Sequence, residues 1–214
     1  MLDPAVERTL IEVLEESRAL GFLGPAPVLG HIEHALDLAQ LIGSSVPARA
    51  LDLGSGGGVP GLVLLVALPQ VRMVLLDAQR RRTAFLERAI IHLGLEGRAT
   101  VVTARAEAAG RQAELRHGFD LVVARSFGPP ATTAECGAPF LRVGGRLVVS
   151  EPPLGPDRWP ATGLAELGLA PVEVHGGPGA VFHYAVLEAQ DRCDERFPRR
   201  DGVPAKRPLF SPEG

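Results

Sequence analysis

The sequence predicts an α/β fold, with a mostly parallel sheet and helices on both of its faces. From residue 48 onward, short apolar segments with strand composition alternate with segments of helical periodicity. Seven strand-like segments occur, and strands alternating with helices form parallel sheets with crossover helices. The last two strand segments are close enough to form a hairpin, so we expect one antiparallel strand at the sheet edge. A chain of 214 residues is long enough to bury such a core.

Two helices are predicted before the alternating part. Residues 4–20 carry an apolar face opposite a charged one, Gly and Pro interrupt the pattern at 21–30, and a second helix follows at 31–42. We expect residues 1–47 to form a helical segment that packs on the core. The acidic residues of this start are unlike a cleavable signal, and no apolar run has the length of a membrane span. A cytoplasmic protein with no membrane partner is therefore expected.

The core is predicted over residues 48–190, within a single domain. Each predicted strand is short and rich in Val and Leu, and Gly or Pro separates several of the elements. The elements are, in order, a strand at 49–53, a helix at 61–68, a strand at 71–77, a helix at 79–94, a strand at 99–104, a helix at 105–115, a strand at 119–125, a helix at 131–141, a strand at 145–151, a helix at 160–168, and strands at 170–175 and 181–188.

Cysteine and histidine give little sign of a metal or redox site. Cys136 and Cys193 are far apart in a chain without an export signal, so no disulfide is expected. No CxxC or HxxxH pair occurs, and we expect no metal. His31 and His34 are spaced to share a helical face, and an ordinary surface pair is the preferred interpretation.

The most informative motif is the glycine-rich loop after the first predicted strand, LDLGSGGGVPGL at 51–62. From Gly56 the letters match GxGxxG, but the match begins later after the strand than a dinucleotide-binding fingerprint does. Read from Gly54 the pattern fails, because Val59 takes the place of the third glycine. The form Asp-Leu-Gly-Ser-Gly-x-Gly instead resembles the nucleoside-binding loop of class I methyltransferases, which use S-adenosylmethionine.

The chemistry of the loop agrees with that interpretation. Glycine lacks a Cβ and tolerates positive φ, so the backbone can lie against an amino acid moiety and a ribose. An acid at Asp52 would repel a pyrophosphate but can accept hydrogen bonds from an ammonium group, directly or through water. A tight turn without a ligand is the alternative. The residues predicted to bind the donor here are Asp52, Gly54, Ser55, Gly56, Gly58, Pro60 and Gly61.

Further candidates follow the next three strands. Asp77 is expected to accept from ribose hydroxyls, or else to cap the helix that begins at Gln79. The backbone of Ala106 and Glu107 is expected to read the edge of an adenine, although an acid in a first helical turn is also ordinary. Arg125 is expected to face the transferred methyl group and its acceptor. It is too basic to act as a general base, but it can donate to a guanine O6 or to a phosphate. A surface ion pair is its alternative role.

The C-terminal arm, residues 191–214, has the most distinctive charge pattern. The whole chain has a net charge of −3, yet residues 192–207 carry six basic and three acidic side chains. The bases are interleaved with Phe and Pro, a composition that is compatible with a rigid basic arm on an RNA backbone and equally with a disordered tail. The residues predicted to contact RNA are Arg199, Arg200, Lys206 and Arg207.

Taken together, these motifs resemble a known family. LDLGSGGGVPGL, LLDAQRRRTAFLERAIIHLGL, ARAEA, FDLVVARSF, PFLRVGGRLVV and RFPRRDGVPAKRPL recur in this order in the bacterial 16S ribosomal RNA guanine-N7 methyltransferase family, RsmG or GidB. The resemblance covers roughly residues 31–210. It implies a class I methyltransferase (Rossmann-like) fold, S-adenosylmethionine as donor, and a guanine of 16S ribosomal RNA in the small ribosomal subunit as acceptor.

Two segments depart from the family pattern, and both border the expected acceptor site. Residues 21–40 lack an Asn-Leu-Thr segment, and Glu151 stands after the fifth strand where the family tends to have Lys-Gly. One alternative is therefore a divergent homologue that binds the donor and RNA but is inactive or has a different acceptor. An NAD-dependent oxidoreductase is a second alternative, for which the chain offers only one tyrosine, Tyr184, and one lysine, Lys206.

Overall fold

The computed structural model describes residues 2–43, 47–153, 158–176 and 180–211. Strands and helices alternate along most of the chain, and the strands belong to a seven-stranded, mostly parallel sheet. The predicted fold class is therefore confirmed. The chain consists of two compact units, Met1–Ala104 and Arg105–Gly214. The organisation into an N-terminal segment, a core and an arm stays a prediction.

The first unit contains a parallel three-stranded part of the sheet, in the order β3-β2-β1. Asp3 caps the first helix by accepting hydrogen bonds from the backbone N–H groups of Ala5 and Val6. All helices and strands predicted for this unit are present, with ends shifted by at most a few residues. The elements are α1 (Pro4–Ala19), α2 (Val28–Ile42), β1 (Arg49–Leu53), α3 (Gly61–Ala67), β2 (Arg72–Asp77), α4 (Arg80–His92) and β3 (Ala99–Thr103).

The second unit contains four strands in the order β4-β5-β7-β6. Strands β4 and β5 are parallel, and β7 is antiparallel to both of its neighbours. The predicted hairpin of the last two strands is present, but the antiparallel strand lies second from the edge. The elements are α5 (Ala106–Ala109), β4 (Phe119–Ala124), α6 (Pro130–Gly137), a 3-10 turn (Ala138–Phe140), β5 (Leu141–Glu151), α7 (Ala161–Ala165), β6 (Leu169–His175), β7 (His183–Ala189) and α8 (Val203–Lys206).

Several elements of the second unit differ in length from the prediction: α6 and α7 end earlier than predicted, at Gly137 and Ala165, and β5 and α5 differ as well. β5 begins at Leu141 instead of residue 145, because Gly144 and Gly145 continue the strand through an irregular register. A Cβ at Gly145 would lie 2.8 Å from the Phe119 carbonyl oxygen, so only glycine permits this close pairing. α5 ends at Ala109 instead of residue 115, and Gly110 follows it.

Aliphatic side chains dominate the interior of each unit, as the scarcity of aromatic residues predicts. In the first unit, Leu51 and Leu53 of β1 are fully buried. In the second, Phe119 and Phe140 form an edge-to-face pair with ring centroids 6.1 Å apart. Cys136 and Cys193 are both buried, free thiols. None of the helices in the described parts of the chain has both the length and the apolar character that crossing a bilayer requires.

Candidate functional site

The glycine-rich loop leaves the carboxyl end of β1, and hydrogen bonds from its backbone to β2 hold it in place. The N–H groups of Gly54 and Ser55 both donate to the Leu76 carbonyl at 2.9 Å. Gly54, Gly56 and Gly58 have φ angles of 75°, 53° and 94°. Glycine reaches these angles without steric cost, whereas other residues do so with strain. Three of the predicted glycines are thus required by the path of the chain.

Asp52 lies beneath this loop and is 1% exposed. Its Oδ2 accepts a hydrogen bond from the Gly61 N–H at 3.0 Å. A Cβ at position 61 would lie 2.5 Å from that oxygen and 2.5 Å from Leu75 Cδ2, so only glycine fits there. Pro60 precedes Gly61 and caps α3. In this structure Asp52 fixes the junction between loop and helix, and its contact with an ammonium group stays a prediction.

Asp77, at the end of β2, makes the contact at the start of α4 that the sequence allowed, and its contact with a ribose stays a prediction. Its Oδ1 accepts from the Gln79 N–H at 2.8 Å, next to the start of α4. Its Oδ2 accepts from the Gly56 N–H at 3.0 Å, and Arg82 Nη1 lies 3.6 Å away. A carboxylate offers about four lone-pair positions, so Asp77 retains capacity to accept from a ribose hydroxyl. Asp77 therefore links the loop to the second strand.

The first helix supports the loop from behind, which the sequence did not predict. Ser17 Oγ is buried and donates to the Gly57 carbonyl at 2.9 Å. A Cβ at Gly57 would lie 2.5 Å from Ser17 Oγ and 2.6 Å from Leu23 Cδ2. The signal in the sequence was a polar residue, Ser17, on the apolar face of the first helix; the structure shows that Ser17 is fully buried, where a polar group needs a partner.

In the second unit, Glu107 is 5% exposed, and its carboxylate is engaged within the protein. Oε1 accepts from Arg105 Nη2 at 2.6 Å and from the Gly202 N–H at 2.9 Å. Burial alone would raise the pKa of Glu107, but the hydrogen bonds from Arg105 and Gly202 outweigh it, and the pKa lies below its ordinary value. The Glu107 side chain thus holds the arm, and adenine contact by the backbone of Ala106 and Glu107 stays a prediction.

Arg125 follows the last residue of β4 and is half-buried. Ala124 pairs with Val149 of β5, so Arg125 lies one position beyond that pair, alongside the strand that ends at Glu151. Glu151 Oε2 accepts from Arg158 Nη1 at 2.8 Å, and burial raises the pKa of Glu151. The carboxyl ends of β4 and β5 thus carry charged groups at the end of the strands where ligands bind in such sheets, and contact of Arg125 with an acceptor stays a prediction.

The four arm residues predicted to contact RNA do not have equivalent environments. Arg200, Lys206 and Arg207 are exposed. Arg199 instead makes a two-pronged ion pair with Glu135, with Nε–Oε1 at 2.8 Å and Nη2–Oε2 at 2.6 Å. The side chain of Glu135 is 0% exposed. Contact of all four residues with RNA stays a prediction.

The described part of the arm is folded onto the rest of the second unit. Phe197 is 2% exposed. Arg116 donates to the carbonyls of Cys193, Asp194 and Phe197 at 2.8–2.9 Å, and Arg111 donates to the Pro198 carbonyl. Arginine side chains therefore supply hydrogen-bond donors to the carbonyl groups of an irregular segment, where the backbone pairing of a helix or sheet is absent.

The described residues show no metal centre. Among the described residues, no group of three or more His, Cys, Asp or Glu side chains is arranged to hold a metal ion. Burial raises the pKa of Cys193 to about 12, and it also raises that of Cys136. Both thiols therefore remain protonated at neutral pH, and neither has the character of an activated nucleophile.

Comparison with protein families and known sequences gives consistent relatives. Residues 27–151 match the family described as rRNA small subunit methyltransferase G. The protein named ribosomal RNA small subunit methyltransferase G of Moorella thermoacetica is 34% identical over 83% of this chain and 77% of its own. Proteins with the same name from Rubrobacter xylanophilus and Thermotoga neapolitana are 36% and 35% identical, over 94% and 95% of this chain and 80% and 90% of their own.

Solved structures share the fold at lower identity. An O-methyltransferase from Bacillus cereus in complex with SAH has a TM-score of 0.62 and 18% identity, over 85% of this chain and 90% of that one. The cofactor-bound protein Rv0187 from MTB has a TM-score of 0.58 and 20% identity, over 86% and 90% of the two chains.

Proposed function

The chain belongs to the rRNA small subunit methyltransferase G family, and from this premise we propose that it transfers a methyl group from S-adenosylmethionine to N7 of a guanine in 16S ribosomal RNA. The observation that carries the proposal is the glycine-rich loop held by two buried acids, Asp52 through Gly61 and Asp77 through Gly56. The partner is 16S RNA or the small ribosomal subunit. We also propose that the protein acts in the cytoplasm, where ribosomal subunits are assembled.

The residues present fit the donor. Gly54 and Gly56 are partly exposed and have positive φ without a Cβ, so a nucleoside and an amino acid moiety can approach their backbone. Gly58 is buried, and its missing Cβ makes room for the Leu62 side chain. Asp77 has the remaining lone pairs to accept from ribose hydroxyls. Asp52 acts by fixing the loop, because its Oδ2 is bonded to Gly61. We assign contact with the adenine to the backbone of Ala106 and Glu107.

The reaction makes modest demands on acid–base chemistry. Guanine N7 carries a lone pair at neutral pH, so no proton has to be removed before attack, and a bound S-adenosylmethionine supplies an activated methyl group on sulfur. The protein must align the acceptor, since proximity and orientation alone supply much of such a rate enhancement. Arg125 is our candidate for this task, because its guanidinium can donate to guanine O6 or to a neighbouring phosphate.

Three measurements test the proposal. Titration calorimetry with S-adenosylmethionine and with NAD should give binding of the first alone, and binding of NAD alone would favour an oxidoreductase. Mass spectrometry of 16S RNA from a strain lacking the gene should reveal one guanine without its N7 methyl group. Returning the gene to the strain should restore methylation of that guanine. In vitro transfer to naked 16S RNA and to isolated small subunits identifies the substrate form. Donor binding without transfer to either form would indicate an inactive homologue or a different acceptor.

A further inference from the structure

Two adjacent arginines of the arm have opposite environments. Arg199 has a side chain that is 27% exposed and faces Glu135, whereas Arg200 is exposed. We infer that Arg199 and Glu135 are positioning residues: together they hold the arm in the conformation in which its exposed cations, Arg200, Lys206 and Arg207, contact RNA. This inference rests on the proposed function, since it assumes that the arm binds RNA.

The geometry of the Arg199–Glu135 pair supports a positioning role. Glu135 Oε1 accepts from both the backbone N–H and the Nε of Arg199, each at 2.8 Å, and Oε2 accepts from Nη2 at 2.6 Å. Arg199 Nη2 also donates to the Arg207 carbonyl at 2.7 Å. One guanidinium therefore joins α6 to two separate points of the arm. A lysine offers a single point charge and cannot make this set of bonds.

A second set of contacts fixes the segment between those two points. The Gly202 N–H donates to the buried Glu107 carboxylate at 2.9 Å, and Gly202 has a φ of 74°. Thr132 Oγ1 donates to the Pro204 carbonyl at 3.3 Å. The backbone that carries Arg200 and Lys206 is thus fixed on both sides. An arm that is ordered before binding avoids the entropic cost of ordering on the RNA.

The experiment compares conservative substitutions in two Arg–Glu pairs of the second unit. Arg199→Lys and Glu135→Gln each break the two-pronged pair while keeping side-chain size and, for Lys, the charge. Arg146→Lys and Glu188→Gln are the matched controls, because that pair is more exposed (56% and 27%) and its Nε–Oε2 distance is 3.3 Å. For each variant we would measure KM for 16S RNA or small subunits, kcat, donor affinity, and cleavage of the arm by trypsin.

We expect Arg199→Lys and Glu135→Gln to raise KM for RNA on the order of tenfold, equivalent to the loss of one charge-assisted hydrogen bond. Donor affinity should stay unchanged, and trypsin should cleave the arm faster in both variants. The two control variants should match the wild type in every measurement. Wild-type KM and trypsin resistance in Arg199→Lys would overturn the inference. It would also be overturned if Arg199→Ala raised KM while Arg199→Lys did not, because Arg199 would then act only as a charge.

A triple variant separates failure of this inference from failure of its premise. Replacing Arg200, Lys206 and Arg207 with Ala should weaken RNA binding and reduce the salt dependence, with the slope of log K against log salt falling by about 2, or roughly 0.7 per contact. An unchanged slope would mean that the arm does not contact RNA. A reduced slope in the triple variant, with Glu135→Gln behaving as Glu188→Gln does, would leave the arm as an RNA contact and remove its positioning by Glu135.

Discussion

Replacing Gly61 with Ala tests whether the loop and the buried acid Asp52 require each other. The new Cβ would lie 2.5 Å from Asp52 Oδ2 and 2.5 Å from Leu75 Cδ2. Comfortable contacts between heavy atoms begin near ~3.5 Å, so these neighbours must give way by about 1 Å. Because Asp52 is 1% exposed, it has no solvent to move into. The hydrogen bond from the Gly61 N–H must therefore weaken.

The expected cost follows from three contributions. Overpacking costs about 1–3 kcal/mol, and weakening a hydrogen bond to a charged group costs up to roughly 1.5–3 kcal/mol. Because alanine has a higher helix propensity than glycine, the substitution at the first position of α3 also stabilises the helix by at most about 1 kcal/mol. We expect a net destabilisation of about 2–4 kcal/mol, which lowers Tm by roughly 5–15 °C in a chain of this size. Donor affinity should fall as well, because the loop backbone is displaced.

The assay is calorimetric unfolding with and without S-adenosylmethionine, together with titration of the donor. Gly30→Ala is the matched control: Gly30 lies within α2, and an added Cβ meets nothing within 4 Å. Its Tm should stay the same or rise, through a gain of up to about 1 kcal/mol in helix propensity. A Gly61→Ala variant with the Tm and donor affinity of the wild type would refute the requirement for close approach between Gly61 and Asp52.

Three further predictions concern the second unit. Arg125→Ala should reduce methyl transfer on the order of 10–100-fold through loss of an oriented charge-assisted hydrogen bond, and an unchanged rate and guanine affinity would contradict its role. Asp201→Asn should tighten RNA binding a few-fold at low salt, because Asp201 Oδ2 lies 3.5 Å from Arg105 Nε and opposes the phosphate charge; equal affinities in a filter-binding titration would contradict this. Since the pKa of Glu107 is depressed in the folded state, its contribution to stability is present above the unfolded pKa of about 4.3 and is lost as pH falls through the folded value. Glu107→Gln should therefore flatten the loss of Tm below about pH 5 in an acid series, and an unchanged slope would be inconsistent with this linkage.

The regular elements were predictable because they depend on local patterns. β1 was predicted at its observed ends, since an apolar strand followed by glycines is a purely local signal. The start of β5 was not, because Gly144 and Gly145 normally interrupt a strand. Their inclusion depends on close pairing with Phe119, which lies more than twenty residues away in sequence. The place of β7 inside the sheet edge is likewise set by pairing between distant segments.

The candidate site divides in the same way. Asp52 and Asp77 could be singled out because the alternation of strands and helices shows where each strand ends, and both acids lie at such ends. The different environments of Arg199 and Arg200 could not be predicted, because the two residues are of the same type. The difference between them depends on Glu135, which lies 64 residues away in sequence. Burial of Phe197 and Pro198 beside them was also invisible to composition, which made a proline-rich basic segment equally compatible with a disordered tail.

The same physical device fixes both the loop and the arm. In each case a buried carboxylate accepts a hydrogen bond from the backbone N–H of an irregular segment; the pairs are Asp52 with Gly61, Asp77 with Gly56, Glu107 with Gly202 and Glu135 with Arg199. A buried carboxylate that loses such bonds is left with an uncompensated charge, so these segments cannot move away without a large cost in free energy. The two acids that hold the arm, Glu107 and Glu135, are also neutralised by arginines, Arg105 and Arg199. Because Arg199 is neutralised by Glu135, the exposed cations Arg200, Lys206 and Arg207 are the charges of the arm that we propose to contact an RNA backbone.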